Sequence, residues 1–148
     1  MPIDILLVED NQGDARLLQE LLLETNKCAR LHVVSDGAEA MDFLRYQGRY
    51  VDAPRPQLIL LDLNLPEIHG HDVLSLVKAN PHLQSIPIIV LTSSEAESDI
   101  VTSYQLKASC YLRKPAELQK FESLVKSLND FWLTRVKFPA KGQAMGPV

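Results

Sequence analysis

The sequence predicts an α/β domain built on one open parallel sheet with helices on both faces. Three observations carry that expectation. Short runs rich in leucine and β-branched residues alternate with longer stretches of helical period. The runs are continuously apolar rather than alternating, as in strands covered on both faces. At 148 residues the chain has the length of one domain, able to bury roughly 70% of its extended surface.

The elements follow in order. Residues 3–8 read as the first strand, and Leu17, Leu18, Leu21 and Leu22 as a helical stripe closed by Asn26. Residues 31–34 are the second strand. Ala40, Met41, Phe43 and Leu44 form a second helix ended by Gly48. Residues 45–56 are long for a helix-to-strand connection and read as an extension of that helix plus a proline-bounded loop. After the third strand, 58–61, the stripe of Val73, Leu74 and Val77 stops at Asn80-Pro81, because proline disfavours a helical residue before it. Residues 88–91 are the fourth strand. Ser94 with Glu97 three residues on reads as a capping box opening a helix that carries Ile100, Val101 and Tyr104. Residues 110–112 are the fifth strand, and Leu118, Phe121, Leu124, Val125, Leu128 and Phe131 keep helical spacing. Alternation of this kind implies right-handed crossovers. Five strands suggest the flavodoxin-like, doubly wound arrangement with strand order 2-1-3-4-5. Residues 1–131 are the expected domain and 132–148 an extension, loose from Pro139 onward. No internal repeat marks a solenoid.

Composition narrows the function classes. Hydrophobic residues make up 46% and charged residues 23%, which is globular rather than disordered. Fifteen basic residues against nineteen acidic give −4, which argues against nucleic acid as the main partner. Two cysteines, Cys28 and Cys110, are too few for a disulfide framework and are expected reduced in the core. Met1-Pro2-Ile3-Asp4 has no basic leader region, and apolar runs such as 86–91 are too short to span a bilayer. The expectation is a cytoplasmic protein with neither membrane nor nucleic-acid contacts.

Open sheets of this class bind ligands at the carboxyl ends of their strands, near the point where strand order reverses. Here that point lies between the first and third strands. Just past the strands come Glu9 and Asp10, then Asp62, then Thr92, then Lys114 with Pro115. Three neighbouring carboxylates raise one another's pKa, and a divalent cation removes that cost. Carboxylate ligands completed by water and a phosphate oxygen suit Mg2+. An aspartate beside such a cation and a lysine can take a phosphoryl group as nucleophile, with Thr92 and Lys114 placed to hydrogen-bond its oxygens. Each residue alone has a plainer reading: a turn-forming Asp, a Thr starting a helix, a solvated Lys. Their conjunction on one sheet edge is what points to chemistry.

Leu7-Val8-Glu9-Asp10-Asn11, Leu60-Leu61-Asp62-Leu63-Asn64-Leu65-Pro66 with Gly70, Val90-Leu91-Thr92-Ser93 and Tyr111-Leu112-Arg113-Lys114-Pro115 together resemble the receiver domain of two-component response regulators, over roughly residues 3–131. The resemblance implies that Asp62 takes a phosphoryl group from a phosphohistidine of a partner histidine kinase. It implies that Glu9, Asp10, Asp62 and the backbone carbonyl of Asn64 hold Mg2+. It further implies that Thr92 and Lys114 bind the phosphoryl group and that Tyr111 is an aromatic switch moving with Thr92. Glu9 stands where Asp is commoner, Leu65 where Met is frequent, and Ala116 where an aromatic is usual. Pro54-Arg55-Pro56, Cys110-Tyr111-Leu112 and Phe131-Trp132-Leu133 are similar to the small receiver-only regulators that partner cyanobacterial and other bacterial phytochromes. That implies a homodimer through the face of the fourth helix, fifth strand and fifth helix, with Tyr104, Tyr111, Phe131 and Trp132 as interface candidates.

Other features have modest readings. His69-Gly70-His71 lacks a third placed ligand and reads as a solvated loop. Gly13 sits in an acidic turn, Glu-Asp-Asn-Gln-Gly, which suits no flavin or nucleotide phosphate. The large apolar groups Phe131, Trp132, Leu133, Val136 and Phe138 read as an interface or as a helix folding back on its own core. No output domain is expected after residue 131, so the reading is a single-domain response regulator that catalyses only its own phosphorylation and dephosphorylation. The rivals are a phosphorylation-independent interaction module of the same fold and an Mg2+-dependent phosphoester hydrolase. Asn64 stands where aspartate-nucleophile phosphatases need a second Asp.

Overall fold

In the computed structural model, residues 2–133 and 137 are described. β1 (Ile3–Val8), α1 (Gln12–Thr25), β2 (Ala29–Val34), α2 (Gly37–Leu44), β3 (Leu58–Leu61), α3 (Gly70–Ala79), β4 (Ile88–Thr92), α4 (Glu97–Gln105), β5 (Cys110–Arg113) and α5 (Leu118–Ser127) alternate along the chain. All four strand pairings are parallel and the order is β2-β1-β3-β4-β5, as the alternation predicts.

The two faces of the sheet hold separate cores because successive strand residues point opposite ways. Leu6, Val8, Ile59, Leu61, Ile88 and Val90 pack beneath α2 and α3. Ile5, Leu7, Leu58, Leu60, Ile89 and Leu91 pack beneath α1 and α5. The continuous apolar runs of β1, β3 and β4 are thus buried on both faces. Only the outer strands depart from that expectation: β2 and β5 lie at the sheet edges and are partly exposed.

Three local readings need correction. The second helix does not extend past Leu44, because Tyr46 (φ 58°) and Gly48 (φ 60°) turn left-handed, and only a short 3-10 turn, Gly48–Tyr50, follows. Ser94 and Glu97 form no capping box; α4 begins after Ala96 with no side-chain cap. Ser94 Oγ instead accepts from the Ala96 N–H at 3.2 Å and donates to Asp99 Oδ2 at 2.6 Å. Cys28 is exposed rather than in the core, and Cys110 is half-buried on an edge strand.

After Ser127 the chain continues in wider π-helical turns over Leu128–Leu133. Leu128 and Leu133, five residues apart, are both buried against α1, β1 and β3. Trp132 packs on the same core while Phe131 is 56% exposed, the two rings meeting edge-on at 5.8 Å. Folding back therefore describes Trp132 and Leu133. Val136, Phe138 and the tail from Pro139 lie outside the described residues. No helix among the described residues is long and apolar enough to cross a membrane.

α4 is the helix least set into the core, with Ser103 its single buried residue. Ser103 Oγ donates to the Asp99 carbonyl at 2.7 Å and lies 3.0 Å from His71 Nε2 on α3.

Candidate functional site

The sheet brings the five singled-out positions to one rim. Parallel pairing sets Val8 beside Leu61, and Leu61 beside Val90, so Glu9 and Asp62 emerge from adjacent strands. Thr92 is the last residue of β4, and its carbonyl accepts the Lys114 N–H at 2.7 Å, which draws the start of the last loop over the rim. Oxygen atoms of Glu9, Asp10 and Asp62 lie within 4.8 Å of one another. Glu9 and Asp62 are each 4% exposed, and Asp10 is exposed. This all-oxygen donor set fits a hard divalent cation better than a transition metal that favours nitrogen or sulfur.

The resting site is held by Lys114. Its Nζ donates to Glu9 Oε1 at 2.8 Å, Asp14 Oδ2 at 2.8 Å and Asp62 Oδ2 at 3.0 Å. Burial would depress this ammonium, but its hydrogen bonds to Asp14 and Glu9 and the nearby charges prevail and raise its pKa above the usual lysine value. Burial would raise Asp62, yet it is held below the ordinary carboxylate range by donors around it and by Lys114. One donor is the Asn64 N–H, 3.1 Å from Asp62 Oδ1. Glu9 goes the other way: burial, with Asp62 beside it, pushes it up to about 7 against the opposing effect of Lys114. Of the two carboxyls, Glu9 therefore holds its proton to higher pH than Asp62.

Thr92 is fully buried. Its hydroxyl is near enough to Asp62 to help keep that carboxylate ionised, but its Oγ1 makes no well-formed hydrogen bond among the described residues. An unmet buried hydroxyl costs about 1–3 kcal/mol, and an acceptor oxygen arriving beside Asp62 would relieve it. Tyr111 is half-buried; its hydroxyl donates to the Ser94 carbonyl at 3.0 Å, and its N–H donates to Tyr104 Oη at 3.1 Å. The loop that follows Thr92 is thus tied to β5 through Tyr111. Tyr104 is 48% exposed beside it.

Two features were missed in the sequence. Asp14 joins the site from the first turn of α1; its only signal was its position just after the Asn11 cap. The second is Asp99, whose carboxylate lies within 4.8 Å of ring nitrogens of both His69 and His71, the third ligand type that the sequence reading found lacking. The atoms of this trio are engaged within the fold, however. His69 Nδ1 accepts the His71 N–H at 3.0 Å to cap α3, His71 Nε2 meets Ser103, and Asp99 accepts from Ser94. The trio ties α3 to α4.

The Glu9 shift gives a prediction for protein freed of divalent metal. A carboxyl whose folded pKa of about 7 exceeds its ordinary 4.5 binds its proton more tightly when folded. Its contribution is fully present below 4.5 and is lost as pH rises through about 7, with a slope approaching ~1.4 kcal/mol per pH unit. Chemical denaturation in chelator should show wild-type protein losing stability across that interval relative to Glu9→Gln. Parallel pH profiles for the two proteins would refute the assignment.

The family model described as response regulator receiver domain matches residues 5–126. The chain is 47% identical over 139 residues to response regulator Rcp1 of Synechocystis sp., covering 94% of this chain and 95% of that protein. It is 36% identical over 133 residues to the probable methanogenesis regulatory protein FilR2 of Methanothrix harundinacea, covering 89% and 84%. Among solved structures it is similar to the Mn2+-bound form of Rcp1, with TM-score 0.89, 47% identity, and 94% and 100% of the two chains covered. It is also similar to the phosphorylated cyanobacterial phytochrome response regulator RcpA, with TM-score 0.91, 44% identity, and 95% and 100% covered.

Proposed function

Because this chain belongs to the response regulator receiver domain family, we propose that it accepts a phosphoryl group on Asp62 from a phosphohistidine of a partner sensor kinase and signals by protein contact or onward relay. The observation that carries this reading is the buried, ionised Asp62 carboxylate with Lys114 Nζ at 3.0 Å and the unmet Thr92 hydroxyl beside it. A carboxylate oxygen of Asp62 forms the new bond to phosphorus. The bond from phosphorus to the donor's imidazole nitrogen breaks, and that nitrogen leaves with the electron pair. Lys114 and Thr92 donate to the phosphoryl oxygens. Glu9, Asp10, Asp62 and the Asn64 carbonyl would hold Mg2+, which when bound offsets carboxylate repulsion and charge on the transferring group.

Aspartyl phosphate adds three acceptor oxygens, so Thr92 is drawn towards them and the loop carrying Ser94 shifts with it. The Tyr111 hydroxyl on the Ser94 carbonyl passes that shift to the face of α4, β5 and α5. A phytochrome-type kinase is the favoured donor, on the likeness to RcpA. Val101, Tyr104, Leu118 and Phe131 are 45–56% exposed and favour a homodimer. The phosphorylation-independent module has no use for the full set of Glu9, Asp10, Asp62, Thr92 and Lys114.

Incubation with Mg2+ and acetyl phosphate should give an acid-labile adduct, one per chain. No adduct would favour the interaction module, and turnover of phosphoesters without an adduct would favour a hydrolase. Phosphotransfer from a panel of labelled histidine kinases, phytochromes included, then tests the donor, and sedimentation before and after labelling tests the dimer.

A further inference from the structure

The Lys114 ammonium carries three N–H donors, and in this structure three carboxylates accept from it at 2.8, 2.8 and 3.0 Å. The lysine is saturated. It cannot reach a phosphoryl oxygen without giving up one of the three. Glu9 and Asp62 belong to the trio of carboxylates clustered at the rim, and Asp14 does not. A cation held by that trio offsets the charges of Glu9 and Asp62, so Asp14 keeps Lys114 as its cationic partner.

Asp14 differs in placement as well. Its side chain is 37% exposed, against 3% for Glu9 and 5% for Asp62, so it can turn to water when it loses its partner. It also stands in the first turn of α1, where the helix dipole steadies a negative charge without the lysine. With a cation on the trio, Asp14 is the acceptor that still depends on Lys114, and its exposure lets water take the lysine's place when a phosphoryl oxygen claims it.

We propose that Asp14 is a positioning residue that holds Lys114 in the unphosphorylated protein and competes with the incoming phosphoryl group for it. This rests on Asp62 being the acceptor. Asp14 sets how tightly the site takes an anionic group: its charge opposes the phosphoryl oxygens, and its hydrogen bond to Lys114 must be exchanged for theirs. A chain without that carboxylate keeps the acceptor, the cation ligands and the lysine, but meets the anion with one N–H of Lys114 no longer held by a competing charge.

The test uses the whole chain and beryllofluoride, a non-covalent mimic of the phosphoryl group, with Mg2+. In Asp14→Asn, beryllofluoride affinity at saturating Mg2+ should rise by about five- to twentyfold, the scale of a partly exposed charge pair removed near an anion. Labelling by acetyl phosphate should quicken in the same direction. Mg2+ affinity without the anion should stay level or fall, because a negative charge has been removed. Asp14→Glu should restore wild-type behaviour on both counts. A residue that only braced the start of α1 would lower both affinities together, and that outcome overturns the proposal, as does an unchanged beryllofluoride affinity. Wild-type protein that takes no label at Asp62 would remove the acceptor reading and this proposal with it. A wild type that labels, beside an Asp14→Asn variant that labels no faster, removes this proposal alone.

Discussion

Asp62→Asn is expected to bring labelling by acetyl phosphate down to background while the domain stays folded. The amide keeps the volume of the carboxylate but lacks a nucleophilic oxygen of comparable strength, so no acyl phosphate forms. The fold consequence can be worked through from the two contacts of Asp62. Its Oδ1 accepts the Asn64 N–H at 3.1 Å and its Oδ2 accepts from Lys114 Nζ at 3.0 Å. An asparagine offers one oxygen for these two donors, so either orientation sets its NH2 against an N–H. That loss is about 1–3 kcal/mol. It is offset in part because Glu9, no longer beside a second charge, ionises more readily and pairs with Lys114. A folded variant with a modestly shifted melting point and no acid-labile adduct is the expected result. An adduct that persists in it would move the acceptor to another residue.

Gly70→Ala should be the most damaging single-methyl change in the region. A Cβ at position 70 would lie 2.5 Å from the Asp62 carbonyl oxygen and 2.5 Å from Leu63 Cα. Both are backbone atoms at the end of β3, and no side-chain rotation relieves the clash. The Gly70 N–H also donates to the Leu63 carbonyl at 2.9 Å, so α3 begins directly against the strand end that presents Asp62. Overpacking of this kind costs about 1–3 kcal/mol and sometimes more. Here it would also shift Asp62, so metal affinity and labelling should fall together with stability. Gly13→Ala is the contrast: its Cβ would meet only the Asn11 side chain, at 3.3 Å, inside a helix that prefers alanine by about 0.5–1 kcal/mol. Equal thermal stability of the Gly70 and Gly13 variants would contradict the close approach.

The strands and the rim were legible because both follow from pattern. Runs buried on both faces read as continuous apolar stretches, and the residue after each run lands on the sheet edge whatever the details of packing. What escaped depends on direction in space. Asp14 lies on a helix, where the sequence fixes periodicity but not how the first turn is rotated against Lys114, one hundred residues away. Asp99 faces His71 only because α4 packs beside α3, a contact that no short-range spacing encodes. Ser94 does stand just before its helix, but its hydroxyl binds Asp99 and the Ala96 N–H, so the expected reciprocal pair with Glu97 does not form. The end of α2 escapes the pattern because Tyr46 adopts a positive φ that an aromatic residue rarely takes, and only Gly48 hints at a break.

The shallow seating of α4 has a consequence for how such a molecule changes shape. Its single buried residue, Ser103, is a polar one that meets His71 of α3 at 3.0 Å. A rod joined to its neighbours by polar links such as those to His71 and Tyr111 can tilt without opening the oily layers on either side of the sheet. The outer surface is then free to be redrawn while the interior that keeps the domain folded is left undisturbed.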